Sequence, residues 1–209
     1  VQTNFLIDGF FTKLQDVFIL EQIAGNAHSL HYERRNGLGA MVYGVSLEAR
    51  VVPTSKWNIQ LGATLQQSLY DKAEWGWSED ENMVRRRKSG REMFRSPNSY
   101  GYFTLSYLPV RGLTLSTSTT YTGRMWVQHC AGYIEHDEEF LTPVFFDMNF
   151  KVAYDIRLGN NATLQLNAGI QNILNSFQKD FDQGADRDGG YMYGPSLPRS
   201  YFFGLKFSL

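Results

Sequence analysis

Along most of the chain apolar and polar residues alternate with a period of two. From Trp57 the odd positions Trp57, Ile59, Leu61, Ala63, Leu65 and Leu69 are apolar, and Asn58, Gln60, Gly62, Thr64, Gln66 and Ser68 lie between them. Val144, Phe146, Met148, Phe150, Val152, Tyr154 and Ile156 alternate with Asp147, Asn149, Lys151, Asp155 and Arg157. The same rhythm runs through Met41–Val51, Leu113–Tyr121, Leu164–Ile170 and the last nine residues, where Tyr201, Phe203, Leu205, Phe207 and Leu209 share a face. A period of two means strands with one apolar and one polar face, not helices.

Eight segments follow: 3–22, 30–52, 56–71, 95–109, 112–124, 142–157, 162–174 and 198–209. The first is irregular, because Leu14-Gln15-Asp16 interrupts it and its faces are mixed. Eleven residues at about 3.4 Å each, tilted by about 45°, cross roughly 26 Å, close to a bilayer's hydrocarbon core. The connections alternate in length. Pro53-Thr54-Ser55, Val110-Arg111-Gly112 and Gly159-Asn160-Asn161 are tight, whereas 23–29, 72–94, 125–141 and 175–197 are longer. A soluble sandwich or jelly roll has no reason to sort its loops by side; an outer-membrane barrel does. The expected fold is all-β: a segment of an antiparallel transmembrane β-barrel, about eight long strands with short periplasmic turns and long extracellular loops.

Composition changes this picture little. The formal net charge of −1 over 209 residues excludes a strongly basic nucleic-acid binder, and the single Cys excludes an intrachain disulfide framework. No apolar run is long enough for a helical span. Aromatic residues make up 15% of the chain, and Trp57, Tyr100, Tyr107, Tyr121, Trp126 and Tyr201 fall near expected strand ends, as an interfacial girdle requires. The chain begins at Val1 and shows no signal peptide, so the expectation is a piece of a longer protein or a chain whose signal was removed.

The last part of the sequence is the most specific. Gln171-Asn172-Ile173-Leu174-Asn175 leads into the acidic stretch Asp182–Asp188. Tyr193-Gly194-Pro195, Pro198-Arg199 and the final strand follow. This order resembles the closing segment of TonB-dependent receptors. Asn36-Gly37 before Tyr43-Gly44-Val45-Ser46-Leu47-Glu48, and Tyr121-Thr122-Gly123 before Thr142-Pro143-Val144-Phe145, resemble earlier hairpins of the same family, with Ser46 where Glu is usual. The final strand also resembles the signal read by the barrel-assembly machinery, falling on Gly204, Phe207 and Leu209; Phe202 stands where a polar residue is usual.

The resemblance implies an outer-membrane importer of a Gram-negative bacterium. A barrel of about 22 strands surrounds an N-terminal plug. TonB energises uptake of a scarce ligand such as a ferric siderophore or a cobalamin. Nothing here resembles the plug or the TonB-contacting box, so residues 1–209 correspond to the C-terminal part of the barrel. The implied partners are the lipid bilayer and lipopolysaccharide, the barrel-assembly machinery, the TonB complex through the N-terminal part, and a small extracellular ligand. No nucleic acid, cofactor or enzymatic activity is expected. The alternative is a self-contained eight-stranded barrel acting as an anchor or adhesin.

Candidate chemistry lies in the long loops. Arg85, Arg86, Arg87, Lys88, Arg91 and Arg95 follow the acidic Glu74, Glu79, Asp80 and Glu81, and such a run suits an anionic chelate or lipopolysaccharide; a solvated loop whose charge blocks pair is the plainer reading. Trp75 and Trp77 offer flat faces for stacking, or simply pack the loop. His129 and His136 share a loop with Cys130, Asp137 and Glu138, a spacing that fits no standard ligand set. Asp180, Asp182, Asp186 and Asp188 have the oxygen chemistry for Ca²⁺ but not the spacing of an EF-hand. The sequon at Asn161 sits in an expected periplasmic turn and carries no expectation. On the polar face, Glu48, Arg50, Asp147, Lys151, Asp155 and Arg157 are expected in the lumen near its periplasmic end, where charges of both signs need water or partners.

Overall fold

The computed structural model describes every residue except 27, 28, 79, 84, 87, 160 and 161, and within β2 and β3 it leaves the side chains of residues 20, 22–26, 29 and 30 undescribed. The described chain is all strand and loop, with β1 (Gln2–Leu14), β2 (Phe18–Asn26), β3 (Ser29–Asn36), β4 (Ala40–Val52), β5 (Trp57–Tyr70), β6 (Ser99–Tyr107), β7 (Leu113–Thr122), β8 (Trp126–His129), β9 (Glu138–Leu141), β10 (Phe145–Leu158), β11 (Ala162–Gln171) and β12 (Ser200–Ser208). Eight of them form one antiparallel sheet in the order β1-β4-β5-β6-β7-β10-β11-β12. The two remaining pairs, β2–β3 and β8–β9, are separate hairpins. No helix among the described residues is long and apolar enough to cross a membrane, which leaves crossing by strands untouched.

Each of the eight expected segments contains one of the eight sheet strands, but two of the segments divide. Segment 3–22 is not one strand. β1 stops at Leu14, and the chain turns through Asp16 at φ 51° before starting β2. Segment 30–52 likewise divides into β3 and β4. The expected loop 23–29, one of the longer connections, therefore overlaps the end of β2 and the start of β3 and belongs to a still longer excursion, 15–39. Asp tolerates the left-handed region, so it turns the chain without Gly or Pro.

Register carries the two faces across the whole sheet. One row reads Thr3–Val51–Ile59–Leu105–Thr117–Phe150–Ile170–Tyr201, one residue from each strand in sheet order. A neighbouring row on the other face reads Asn4–Arg50–Gln60–Thr104–Ser118–Asn149. A slip of one residue would exchange the faces, so the alternating pattern fixes the pairing.

The apolar face is not covered by anything in this chain. Tyr201 and Phe203 are 73% and 71% exposed, and Phe5, Ile7 and Phe11 are similarly bare. An apolar area of that extent marks an interface with protein or lipid. Ring packing sits at its two ends. Trp57 stacks on Tyr107 with centroids 3.9 Å apart beside the short turns, and Tyr121 lies against Phe146 at 4.9 Å beside the long loops. Tyr100 belongs to the opposite, polar face, and Trp126 belongs to the β8–β9 hairpin outside the sheet.

Two of the short connections are β-turns. The Thr54 carbonyl accepts the Trp57 N–H at 3.1 Å, and the Val110 carbonyl accepts the Leu113 N–H at 3.2 Å. β1 pairs only with β4 and β12 only with β11, so the sheet is open. The closed eight-stranded barrel entertained from the sequence is therefore not formed. Closure of a sheet requires its two edge strands to pair.

Candidate functional site

The long connections 15–39, 71–98, 123–144 and 172–199 all leave the same rim of the sheet, and the buried clusters of the chain lie there. Val127, Phe145, Tyr191 and Tyr193 form one, with Met125 and Phe140 against it. Ile19, Ala40 and Tyr70 form the other, with Leu14, Val17 and Met93. The loops thus build a cap with its own interior instead of four separate flaps.

Buried polar side chains tie the loops together. Trp77, 4% exposed, donates its indole N–H to Glu139 Oε1 at 2.9 Å and meets Phe94 edge-on. Ser78 donates to Asp137, whose other oxygen accepts the Ala131 N–H at 2.6 Å. His129, 5% exposed, lies flat on Tyr191 with centroids 3.6 Å apart and points Nε2 at both oxygens of Asp182, 3.0 Å away. Its Nδ1 is buried without a hydrogen bond, 3.8 Å from Glu138. Asp188 accepts the Cys130 N–H at 2.9 Å. Burial, then the charge of Asp188, pushes the Cys130 thiol up to about 12, which leaves it inert as a nucleophile.

Asp180 accepts the hydroxyls of both Tyr193, at 2.7 Å, and Tyr191, at 3.0 Å. Burial and then Asp180 raise both phenols above their ordinary value. Gln178 works like a short strand segment. Its Nε2 donates to the Tyr191 carbonyl at 3.0 Å and its Oε1 accepts the Tyr193 N–H at 2.9 Å. Asn172 and Asn175 take φ of 49° and 53°, and Asn172 Oδ1 accepts the Ser176 N–H at 2.8 Å. The Asn-rich turn noted in the sequence is thus a backbone requirement. Arg95, also left-handed at φ 56°, donates to the carbonyls of Gly190 and Met192, joining 71–98 to 172–199.

Several expected binding residues prove to belong to this cap. Trp77 and His129 are interior. Trp75 packs on Gly90, where a Cβ would overlap its ring, and the Arg86 guanidinium stands 5.8 Å over that ring. The backbone carbonyl of Arg85 accepts the Glu139 N–H at 3.2 Å while its side chain and that of Arg86 stay exposed. Arg87 lies outside the described residues. His136 stands 3.3 Å from Asp80. Burial works to raise Asp80, but the N–H groups of Asn82 and Asp137 and the His136 ring outweigh it and hold the carboxyl below its ordinary value. Asp180, Asp182 and Asp188 face different partners, and Asp186 is exposed. No group of three or more His, Cys, Asp or Glu side chains converges among the described residues. That arrangement gives a Ca²⁺ ion no cage.

Pattern reasoning missed Gln178 and Glu139. A Gln or Glu in a loop normally stays in water, and only an apolar neighbourhood such as Tyr191-Met192-Tyr193 hints otherwise.

Beneath the cap, the polar face holds a recess of about 680 Å³ lined by Thr104, Ser106, Ser116, Ser118, Asn149 and Lys151 among others. One oxygen of Asp147 is buried there without a partner. Glu48, Arg50, Lys151, Asp155 and Arg157 share this face with it. Glu48, Arg50, Asp155 and Arg157 lie toward the short turns as expected, but Asp147 does not: it is the third residue of β10 from the long-loop end, opposite Thr120. Strand direction decides this, because β10 runs from the cap toward the turn at 159. Gln165 donates to Asp155 at 2.8 Å, and Ser46 bonds Thr64 at 2.9 Å.

No protein-family model and no curated protein matches the sequence. Among solved structures the chain is similar to the ferric-catecholate import receptor Fiu from E. coli K12, with a TM-score of 0.61 and 16% identity over 99% of this chain and 25% of that one. It is similar to the siderophore receptor PiuA from Acinetobacter baumannii, at 0.59 and 18% over 99% and 26%. It is also similar to the ferripyoverdine receptor of the Pseudomonas aeruginosa outer membrane, at 0.64 and 14% over 99% and 25%. The chain spans about a quarter of the length of these receptors. At these identities the likeness is one of fold. The eight-stranded sheet with its capped rim has the fold of part of a TonB-dependent receptor barrel.

Proposed function

We propose that residues 1–209 form the C-terminal part of the barrel of an outer-membrane receptor in a Gram-negative bacterium. The receptor captures a scarce ligand, such as a ferric siderophore or a cobalamin, and imports it with energy from TonB. It is a transporter, not an enzyme. The observation that carries the reading is the pairing of a continuous bare apolar face with a polar one across all eight strands, beneath long loops gathered on one rim. The apolar face meets lipid, the polar face lines the lumen, and the cap faces the medium. The remaining strands and the plug complete the barrel beyond the open edges of β1 and β12. The plug reaches TonB. The final strand, with Gly204, Phe207 and Leu209, is the element read by the barrel-assembly machinery.

Within the cap, the exposed Arg85 and Arg86, with Trp75 beneath Arg86, are the ligand-facing candidates, together with Arg87. Trp77 and His129 position the loops. His136, paired with Asp80, belongs with them. Deletion of the gene in its source organism tests the reading. Uptake of one labelled ferric siderophore or cobalamin from a panel should vanish in the deletion strain and in a strain lacking TonB. Unchanged uptake across the panel would overturn the proposal.

A further inference from the structure

The outer face is not uniform. Register brings Ala63 of β5 opposite Gly101 of β6, Gly101 opposite Tyr121 of β7, and Tyr121 opposite Phe146 of β10. Ser99 and Thr119 are the other small residues nearby. Around them stand Leu61, Leu65, Phe103, Tyr121 and Phe146, leaving a groove of about 350 Å³ with almost wholly apolar walls. Leu65 is 67% exposed and forms one bank. The floor is set by a close approach: a Cβ on Gly101 would lie 2.5 Å from the Gly62 carbonyl oxygen, so no larger residue fits without moving backbone. On the opposite face the Tyr102 ring covers Gly62, which closes the sheet beneath the groove.

We propose that this groove holds one acyl chain of lipopolysaccharide at a fixed position. The inference rests on the membrane reading above and adds a defined lipid site to it. Three features select the occupant. The groove is continuous with the lipid-facing side and its walls are almost wholly apolar, so a hydrocarbon chain fills it where water would find few partners. It lies toward the long-loop rim, since Gly101 is the third residue of β6 and Tyr121 and Phe146 lie one residue inside the loop ends of β7 and β10. That depth belongs to the outer leaflet, whose lipid is lipopolysaccharide. The rim is also polar: the hydroxyls of Ser99 and Tyr121 meet at 3.2 Å, and the exposed Arg124 follows two residues beyond Thr122, a cation where a lipid phosphate would sit.

The test uses the full-length natural protein in phosphatidylethanolamine vesicles. The vesicles contain either lipopolysaccharide with a diazirine on one acyl chain or phosphatidylethanolamine labelled in the same way. After irradiation, the lipopolysaccharide adducts should concentrate on the peptides holding Leu65, Phe103 and Tyr121. Filling the groove with Ala63→Leu, or separately with Thr119→Leu, should abolish that excess and leave labelling elsewhere on the outer face unchanged. Even labelling around the face, or an excess that survives both substitutions, would overturn the proposal. Equal or greater enrichment with phosphatidylethanolamine would overturn the assignment to lipopolysaccharide. Absence of adducts anywhere on the outer face would instead overturn the membrane reading itself.

Discussion

Trp77 and Glu139, 62 positions apart, meet inside the loop cap, with the indole Nε1–H 2.9 Å from the carboxylate Oε1. Both side chains are buried, so the bond fastens 71–98 to 123–144 at a point water does not reach. Trp77→Phe keeps a ring against Phe94 but removes the donor. Leaving a buried acceptor short of a partner costs about 1–3 kcal/mol. The expected result is faster amide exchange in both loops with unchanged protection in β5 and β10. Glu139→Gln keeps an acceptor and should cost less. Equal exchange in wild type and Trp77→Phe would show that the bond does not hold the loops.

Asp80 gives the cap a dependence on acid. Its carboxyl is held below the ordinary value, so the charged form is favoured in the folded cap. That stability is present above the unfolded value, about 4, and is lost as pH falls through the folded value. Protection of the amides of Asn82 and Asp137, which Asp80 accepts, should hold from pH 7 to about 4.5 and decline below it. Asp80→Asn should lower protection at pH 7 and flatten the decline.

The tyrosines supply the alkaline counterpart. Tyr191 and Tyr193 are raised by burial and by Asp180, and Tyr32 by burial and by Cys130. A raised group contributes stability below its unfolded value, about 10, and loses it as pH climbs through the folded value. Spectrophotometric titration of the folded protein should therefore show a late fraction of tyrosinate that appears together with loop opening. Asp180→Asn should bring part of that fraction to lower pH.

The strands were legible in the sequence, and the cap was not. A sheet with one face in lipid and one toward polar surroundings must alternate, and the alternation of Val144–Ile156 states which side of β10 faces which way. Of the two segments that divide, 3–22 does so for a local reason. Val17, Phe18 and Ile19 continue the apolar run past the turn at Asp16, because Ile19 is buried under the cap. The Asn-rich turn at 171–175 was visible as a motif, and its left-handed residues explain why Asn stands there. The loop contacts join residues such as His129 and Asp182, 53 positions apart, with no period linking them. A buried loop tryptophan and an exposed ligand-stacking one look alike in a sequence, which leaves stacking and loop packing both open for Trp77; its burial decides for packing.

Asn172 offers a compact test of that motif. It is 5% exposed, left-handed, and its amide donates to the carbonyls of Ser176 and Leu197 while its oxygen accepts the Ser176 N–H. Asn172→Ala removes the three bonds and keeps a conformation that Ala disfavours, for a combined cost of about 2–4 kcal/mol. Increased protease cleavage within 172–199 in intact cells is the expected readout. Asn172→Gly, which restores only the conformational freedom, should recover part of the loss.

The assignment of faces is open to a paired substitution in β11. Leu166 lies in the apolar row between Tyr154 and Leu205, and its neighbour Gln165 lies in the polar row between Asp155 and Lys206. If the apolar row meets hydrocarbon, Leu166→Arg places a charge in lipid at mid-strand, at a cost of about 2–4 kcal/mol at the bilayer midplane. Gln165→Arg places the same charge one residue away, on a wetted face beside the Asp155 carboxylate, where the net change should be within about 0.5 kcal/mol. Heat-modifiable, membrane-inserted full-length protein should therefore fall sharply for Leu166→Arg and stay near wild type for Gln165→Arg. The reverse order would mean that the two faces of the sheet have been exchanged. Equal levels would mean that neither face meets lipid, because no aqueous interface separates adjacent residues of one strand by that much free energy without a difference in dielectric across the sheet.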